Sequence, residues 1–467
     1  MISIRYSWHR SQTLIYPEIE TRATTIMAEA AGALYGVKNV LEGAALLAKG
    51  IYDPTLPLKA TLTPVPGVEL SRAYHSLSII KGRAYIFGGR TAGGGNDGQQ
   101  LADNDMHVVI LPFSGVEGAD YKRVEATSEA PPRRYGHRAT VIDDRIYIFG
   151  GKTDGEDPVD EEGRVWIYDT VWNKWSYADP PNGSPRPDPR FRHASVASEH
   201  PKPRQKKPDS SILPQAPPDP EKTLPDIPSP DTYGTVIIQG GIGKDGTPLN
   251  DMWTFDIASK TWAELPEPNS SASGQPSLAL VGRRLYCYSR AQTSYLDLTH
   301  SSFNDMSGAG ELGLAPSGPW QTIPHVLDTD SATHPGERWG ASMTHVTTGQ
   351  GRHYLLLIGG LSTASQPFED IWALQLRPEG MTAASFKDAA RLALKKGTGE
   401  AEWQEVKYYS AEGVALEEGQ DGRGIGGRVG FASAEATEVD GASVMLWGGV
   451  ARDGKVLSDG LLVSVDR

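Results

Sequence analysis

Arg134-Tyr-Gly-His137, followed by Tyr147-Ile-Phe-Gly-Gly151, then Trp166-Ile-Tyr-Asp169 and Trp175, is the stretch that decides the fold, because it recurs. Arg72-Ala-Tyr-His75 leads to Tyr85-Ile-Phe-Gly-Gly89, and Arg190-Phe-Arg-His193 leads, across an insertion, to Val236-Ile-Ile-Gln-Gly-Gly241. Arg338-Trp-Gly-Ala leads to Leu355-Leu-Leu-Ile-Gly-Gly360, and Arg428-Val-Gly-Phe431 to Val444-Met-Leu-Trp-Gly-Gly449. A degenerate copy, Gln275-Pro-Ser-Leu with Arg284-Leu-Tyr-Cys-Tyr-Ser289, has lost the double glycine. Each unit continues with a third apolar run, often opened by an aspartate (Asp105, Asp251, Asp370), and a tryptophan such as Trp175, Trp262 or Trp403 marks a fourth. A unit of four short strands cannot bury its own apolar faces, so such units must stack against one another. Glycine after the second strand permits a backbone approach that a side chain would block.

Six coincident copies resemble the kelch family, over roughly residues 58 to 466. The resemblance implies an all-β, six-bladed kelch β-propeller whose blades are four-stranded antiparallel sheets. The sixth unit ends at its third strand, Asp459-Gly-Leu-Leu-Val-Ser-Val465. The alternating segment Leu58-Lys-Ala-Thr-Leu-Thr-Pro64 is therefore expected to supply the missing strand, closing the ring like velcro and removing a free edge. Residues 1–57 form an N-terminal extension, with a helix expected over 24–50, and 58–467 form the propeller. Two insertions interrupt it. Residues 199–232 are proline-rich and polar and are expected to be disordered. Residues 381–400 read as a helix capped by Ser385 and ended by Gly397. By propeller topology both emerge on the face opposite the loops that join second to third strands.

The net charge of −13 argues against nonspecific binding to nucleic acid or anionic membranes. No run of eighteen apolar residues exists. The single cysteine, Cys287, excludes an internal disulfide and suits a reducing compartment, so a cytoplasmic monomer is expected, with the basic cluster Lys202, Arg204, Lys206 and Lys207 as a nuclear-import reading.

The search for chemistry yields no catalytic set. Gly150-Gly-Lys-Thr153 echoes a phosphate loop, but Ile146 stands where the motif needs glycine. Propeller oxidases of this class use a Tyr–Cys crosslink; Cys287 reads instead as a buried strand residue. The plant specifier proteins carry iron on a Glu-x-x-x-Asp-x-x-x-His motif; Asp330 and His334 echo it, but Val326 occupies the glutamate position. His75, His137 and His193 recur at equivalent positions, where the repeat consensus implies structural hydrogen bonds between blades. No metal and no cofactor is expected. The innermost strands start at the mouth of the central channel, so Arg72, Arg134, Arg190, Arg338 and Arg428 are expected to ring it, beside Tyr74, Tyr135, Phe191 and Trp339. The ring is expected to be incomplete, broken at Gln275; on an acidic protein it suits an acidic peptide or partner protein, while the other reading is that these consensus arginines only tie strands together. The leading expectation is thus a non-catalytic protein-interaction scaffold; the alternative is a metal-dependent propeller enzyme or specifier with an unfamiliar site.

Overall fold

The computed structural model describes residues 55–466 apart from 94–97, 112–117, 203–231, 270–274, 306–307, 325–333, 349–350, 379, 381, 418–422 and 437–441. The extension up to residue 54, with its expected helix, and the body of the proline-rich insertion lie outside them.

Each repeat unit becomes one sheet. The second unit shows the pattern: Arg138–Ile142, Arg145–Phe149, Val165–Asp169 and Lys174–Ala178 pair antiparallel in sequence order. The six first strands, Ser76–Ile80, Arg138–Ile142, Ala194–Ser198, Ser277–Val281, Ser342–Thr348 and Ala432–Glu435, touch one another in that order, and the last touches the first. The all-β, six-bladed ring is therefore closed. Its seal is the expected one. Lys59–Val65 pairs antiparallel with Gly460–Asp466, with Leu62 opposite Val463. One further strand was not expected: Lys407–Tyr409 adds parallel to Lys59–Thr61, and the Lys407 amide donates to the Leu58 carbonyl at 2.7 Å. The outer edge of blade 6 is thus covered by the connection leaving blade 5.

The core is six apolar layers, one between each pair of neighbouring blades. The tryptophans sit where large area is needed across those seams. Trp175 of blade 2 packs on Phe87 of blade 1 at 5.0 Å between ring centroids, and Trp262 of blade 3 on Phe149 of blade 2 at 4.9 Å. Each such ring, cut to alanine, would cost on the order of 3–5 kcal/mol. Leu56 and Leu58 bury into the layer between blades 5 and 6, so the propeller begins at least two residues before the expected boundary.

Blade 4 departs from the pattern. Its third strand, Gln292–Asp305, is long, and Gly308–Pro316 folds back on it as a hairpin. The fourth strand is only Gln321–Thr322, held by the buried Trp320 beside it, whose indole donates to the Pro266 carbonyl of blade 3 at 2.8 Å. The helical insertion of blade 5 is shorter than expected. Helix α1 spans Ala383–Ala393, and Thr382, not Ser385, is its N-cap. Ser385 is the third residue of a reciprocal capping box, its hydroxyl taking the Thr382 amide at 2.8 Å. The Asp388 carboxylate pairs with both terminal nitrogens of Arg352 at 2.8 and 2.7 Å, which ties α1 to the blade.

Candidate functional site

The repeat arginine is the centre of each blade's corner, and it faces inward. Arg134 donates to Glu161 at 2.8 and 2.7 Å and to the Gly150 carbonyl at 3.0 Å. Arg190 repeats this with Asp251 and Gly240, Arg338 with Asp370 and Gly359, and Arg428 with Asp459 and Gly448. Arg72 meets Asp103 and His107. In blades 3 and 5 the aspartate that opens the third strand clamps the repeat arginine and also accepts an indole N–H, from Trp253 to Asp251 and from Trp372 to Asp370, each at 2.7 Å; Asp105 of blade 1 instead pairs with Arg123. Burial would raise Asp251, but hydrogen bonding and charge from Arg190 hold it below the usual carboxylate range. All five guanidinium groups are buried. Of the two readings of these arginines, a cationic docking ring or strand fasteners, the contacts are those of fasteners: a guanidinium paired with a carboxylate and a carbonyl has little left to offer a partner.

The same corner stitches blades together. The Arg190 carbonyl accepts from the Gly151 amide of the preceding blade at 2.9 Å, and a Cβ on Gly150, at φ +66°, would lie 2.5 Å from that oxygen. The Arg134 carbonyl accepts likewise from Gly89, and the Arg72 carbonyl from Gly449. The histidines lie beneath these glycines. Phe87 meets the His137 ring edge-on at 5.4 Å, and His137 exchanges a hydrogen bond with Ser76 of blade 1 at 3.0 Å. His75 and His193 have no hydrogen-bond partner at either ring nitrogen, so the expected bridge between blades exists at His137 only. Burial, with the charges of Arg72 and Arg138, lowers His75 to about 3.

What the mouth does expose lies one or two residues past each arginine and just after each double glycine. Tyr74, Tyr135, Phe191 and Trp339 are half-buried there. Tyr74 meets Tyr135, and Tyr135 meets Phe191, each edge-on at 6.3 Å. The cations among them are Arg192, over Tyr74 at 4.4 Å, Arg90, over Tyr135 at 5.2 Å, and Lys152, over Phe191 at 5.3 Å. The residue two past the arginine is left-handed in five blades and is glycine in three: Gly136, Gly340 and Gly430. In the other two it is Tyr74 (φ 55°) and Arg192 (φ 54°). A side chain in that conformation costs roughly 1–2 kcal/mol. Circumferential bonds hold it in place: Tyr74 N–H to Gly430 O at 2.6 Å, Gly136 N–H to Tyr74 O at 2.7 Å and Arg192 N–H to Gly136 O at 2.6 Å.

Below the mouth the channel narrows to a cavity of about 130 Å³ lined by Ser76, Ser195, Ser277, Ser342, Ser433 and Arg138. Arg138 donates to the His193 carbonyl at 2.7 Å. Neither Arg138 nor Arg192 has a carboxylate within ion-pair distance among the described residues. Burial, and then the nearby Arg192 charge, lower Arg138 from the usual arginine value, so an anion here would relieve both. These cations were not legible from the consensus. The available signal was deviation from it: arginine where other repeats have glycine (Arg192), and arginine or lysine directly after the double glycine (Arg90, Lys152).

The other sequence candidates are placed as follows. Cys287 is buried, with its thiol 3.3 Å from the Gln239 amide oxygen, and burial pushes it up to about 12. Val326 and Asp330 lie outside the described residues.

A model of the KLHDC2/KLHL20/DRC7 Kelch-repeats domain matches residues 58–202. Kelch domain-containing protein 1 of Mus musculus is 29% identical over 119 residues, 25% of each chain. An F-box/kelch-repeat protein of Arabidopsis thaliana is 25% identical over 221 residues, 44% of this chain and 36% of that one. The N-(sulfonatooxy)prop-2-enimidothioate sulfolyase of Thlaspi arvense is 22% identical over 229 residues, 47% of this chain and 52% of that one. The chain thus spans only about a quarter to a half of the length of these relatives.

Proposed function

We propose that this chain, which belongs to the kelch-repeat β-propeller family, is a non-catalytic binding module that docks an acidic peptide segment of a partner protein on the channel mouth. The observation that carries the reading is the uncompensated pair Arg138 and Arg192 amid half-buried aromatic rings, on a protein of net charge −13. Arginine and aromatic side chains in a desolvated depression are the groups that dominate peptide recognition. Two non-glycine residues kept in a strained conformation at that spot fit the same reading, since such strain concentrates where side chains are needed for binding. On this reading the protein works as a cytoplasmic monomer. The alternative is a metal-dependent propeller enzyme or specifier; among the relatives, the Thlaspi arvense sulfolyase carries an enzyme's name.

The test is a paired measurement on Arg192→Gly, with an acidic peptide library as the probe. Stability should rise by ~1 kcal/mol as the strained residue is released. Acidic-peptide binding should fall about ten-fold and lose part of its salt dependence. A variant that gains stability and binds the same peptides equally well removes the mouth as the docking site.

A further inference from the structure

Far from the mouth, the hairpin of blade 4 meets the root of the proline-rich insertion of blade 3, and three side chains converge there. His200, at the root of the insertion, places Nδ1 2.7 Å from Glu311 Oε2. His300, on the long third strand of blade 4, places Nε2 3.4 Å from Glu311 Oε1. The two imidazole rings stack at 4.4 Å between centroids and 11° between planes. One ligating atom from each residue lies within 4.8 Å of the other two, and this is the one such trio found among the described residues. The ladder shifts register between His300 and Ser302, and Glu311 sits opposite Ser302. That bulge aims His300 and Glu311 at the same point, which a regular ladder would not do.

We propose that His200, His300 and Glu311 form a binding site for a divalent d-block cation, Zn²⁺ by its ligand chemistry, which staples the root of the insertion to blade 4. Two imidazole nitrogens and one carboxylate are a zinc donor set, with the fourth tetrahedral position left to water. The 3.4 Å separation of His300 Nε2 and Glu311 Oε1 already matches the distance of roughly 3.3 Å between ligands about 2.0–2.1 Å from one tetrahedral ion. His200 needs only a small rotation to exchange its hydrogen bond for the metal. A simple ion pair accounts for His200 and Glu311, with the Lys202 amide also donating to Oε2 at 2.7 Å. It does not account for His300, whose Nε2 stands 3.4 Å from Oε1 while a second imidazole stacks on the ring. The staple would lock the clasp already present, in which the Thr235 hydroxyl donates to the His200 carbonyl at 2.7 Å.

The experiment titrates the full chain, stripped with a chelator, with Zn²⁺, and with Co²⁺ as a visible-absorption probe of coordination. The wild type should bind one equivalent, raise its melting midpoint, and give the Co²⁺ spectrum of a four-coordinate nitrogen–oxygen site. His300→Ala and Glu311→Gln should each weaken binding at least about ten-fold and abolish the thermal shift. Glu311→Gln keeps the shape of the side chain, so it decides the matter if His300→Ala does not fold. A wild type that takes up no Zn²⁺ at micromolar concentration, or a Glu311→Gln chain that takes it up equally well, overturns the site.

Discussion

Blade 2 and blade 4 are built from the same unit and diverge at both ends. Blade 2 keeps every fastener: Arg134 clamped by Glu161, Gly150-Gly151 receiving the Arg190 carbonyl, and His137 beneath the glycines of blade 1. Blade 4 has Pro276 for the histidine, Gln275 where blades 1 to 3 have Tyr74, Gly136 and Arg192, and no double glycine; its arginine position, residue 273, lies outside the described residues. Its second and third strands join through a two-residue turn, Arg290-Ala291, with both residues at positive φ and Ser289 paired to Gln292. Blade 4 therefore adds little to the mouth, and its elaboration lies at the opposite end, in the hairpin that carries Glu311. The consensus residues are thus fasteners at one face of the ring, and a blade that loses them can build on the other face. Blade 4 tolerates the loss because the stitches on either side, and the seal of blade 6, still close the circle.

The sharpest way to break the comparison is to remove one fastener from each. Arg134→Ala strands the half-buried Glu161 and should cost about 3–5 kcal/mol. Gln275→Ala, at the position of blade 4 that matches Gly136, should cost ~1 kcal/mol or less. Urea midpoints compared at equal slope measure both, and equal losses would mean that the arginine clamp does not explain the difference.

The buried histidines extend the contrast to pH, since blade 4 has Pro276 where the first three blades have histidine. His75 is lowered to about 3 in the fold, against an unfolded value near 6.5. Below 6.5 the unfolded chain takes up this proton first. The stability contribution is therefore fully present above pH 6.5 and is lost as the pH falls toward 3. The expected slope is about 1.4 kcal/mol per pH unit from this one residue. His75→Phe should flatten it; an unchanged slope in pH-dependent urea melts would refute the assignment.

The smallest effect belongs to the turn of blade 4. Ala291→Gly removes a side chain from φ 62° and should stabilise by ~1 kcal/mol in thermal denaturation. Gly151, at φ 103°, stands in blade 2 where blade 4 has Arg290.

The repeat was legible because it is made of residues whose backbone demands are local and periodic. Double glycines, strand alternation and the orphaned segment at Leu58–Pro64 together predicted six sheets and their closure, and the pairing of Leu62 with Val463 matches that reading. The arginine positions were legible too, with two readings, strand fastener or docking ring, between which the sequence did not decide. Whether a guanidinium faces solvent or a carboxylate depends on a partner such as Asp251, sixty-one residues from Arg190, which only the assembled sheet brings within 2.7 Å. The cap of α1 failed for a smaller reason of the same kind: Thr382 and Ser385 both carry a hydroxyl that can cap, and only the backbone geometry of Thr382 distinguishes them. The amino-acid order alone thus determined the number of blades, their strand order and the seam, since these follow from spacing. Tertiary structure alone decided that Arg138 and Arg192 stand at the mouth without a carboxylate among the described residues and that His200, His300 and Glu311 meet. Those outcomes depend on distances between blades, and no local pattern in a chain encodes a distance across a ring.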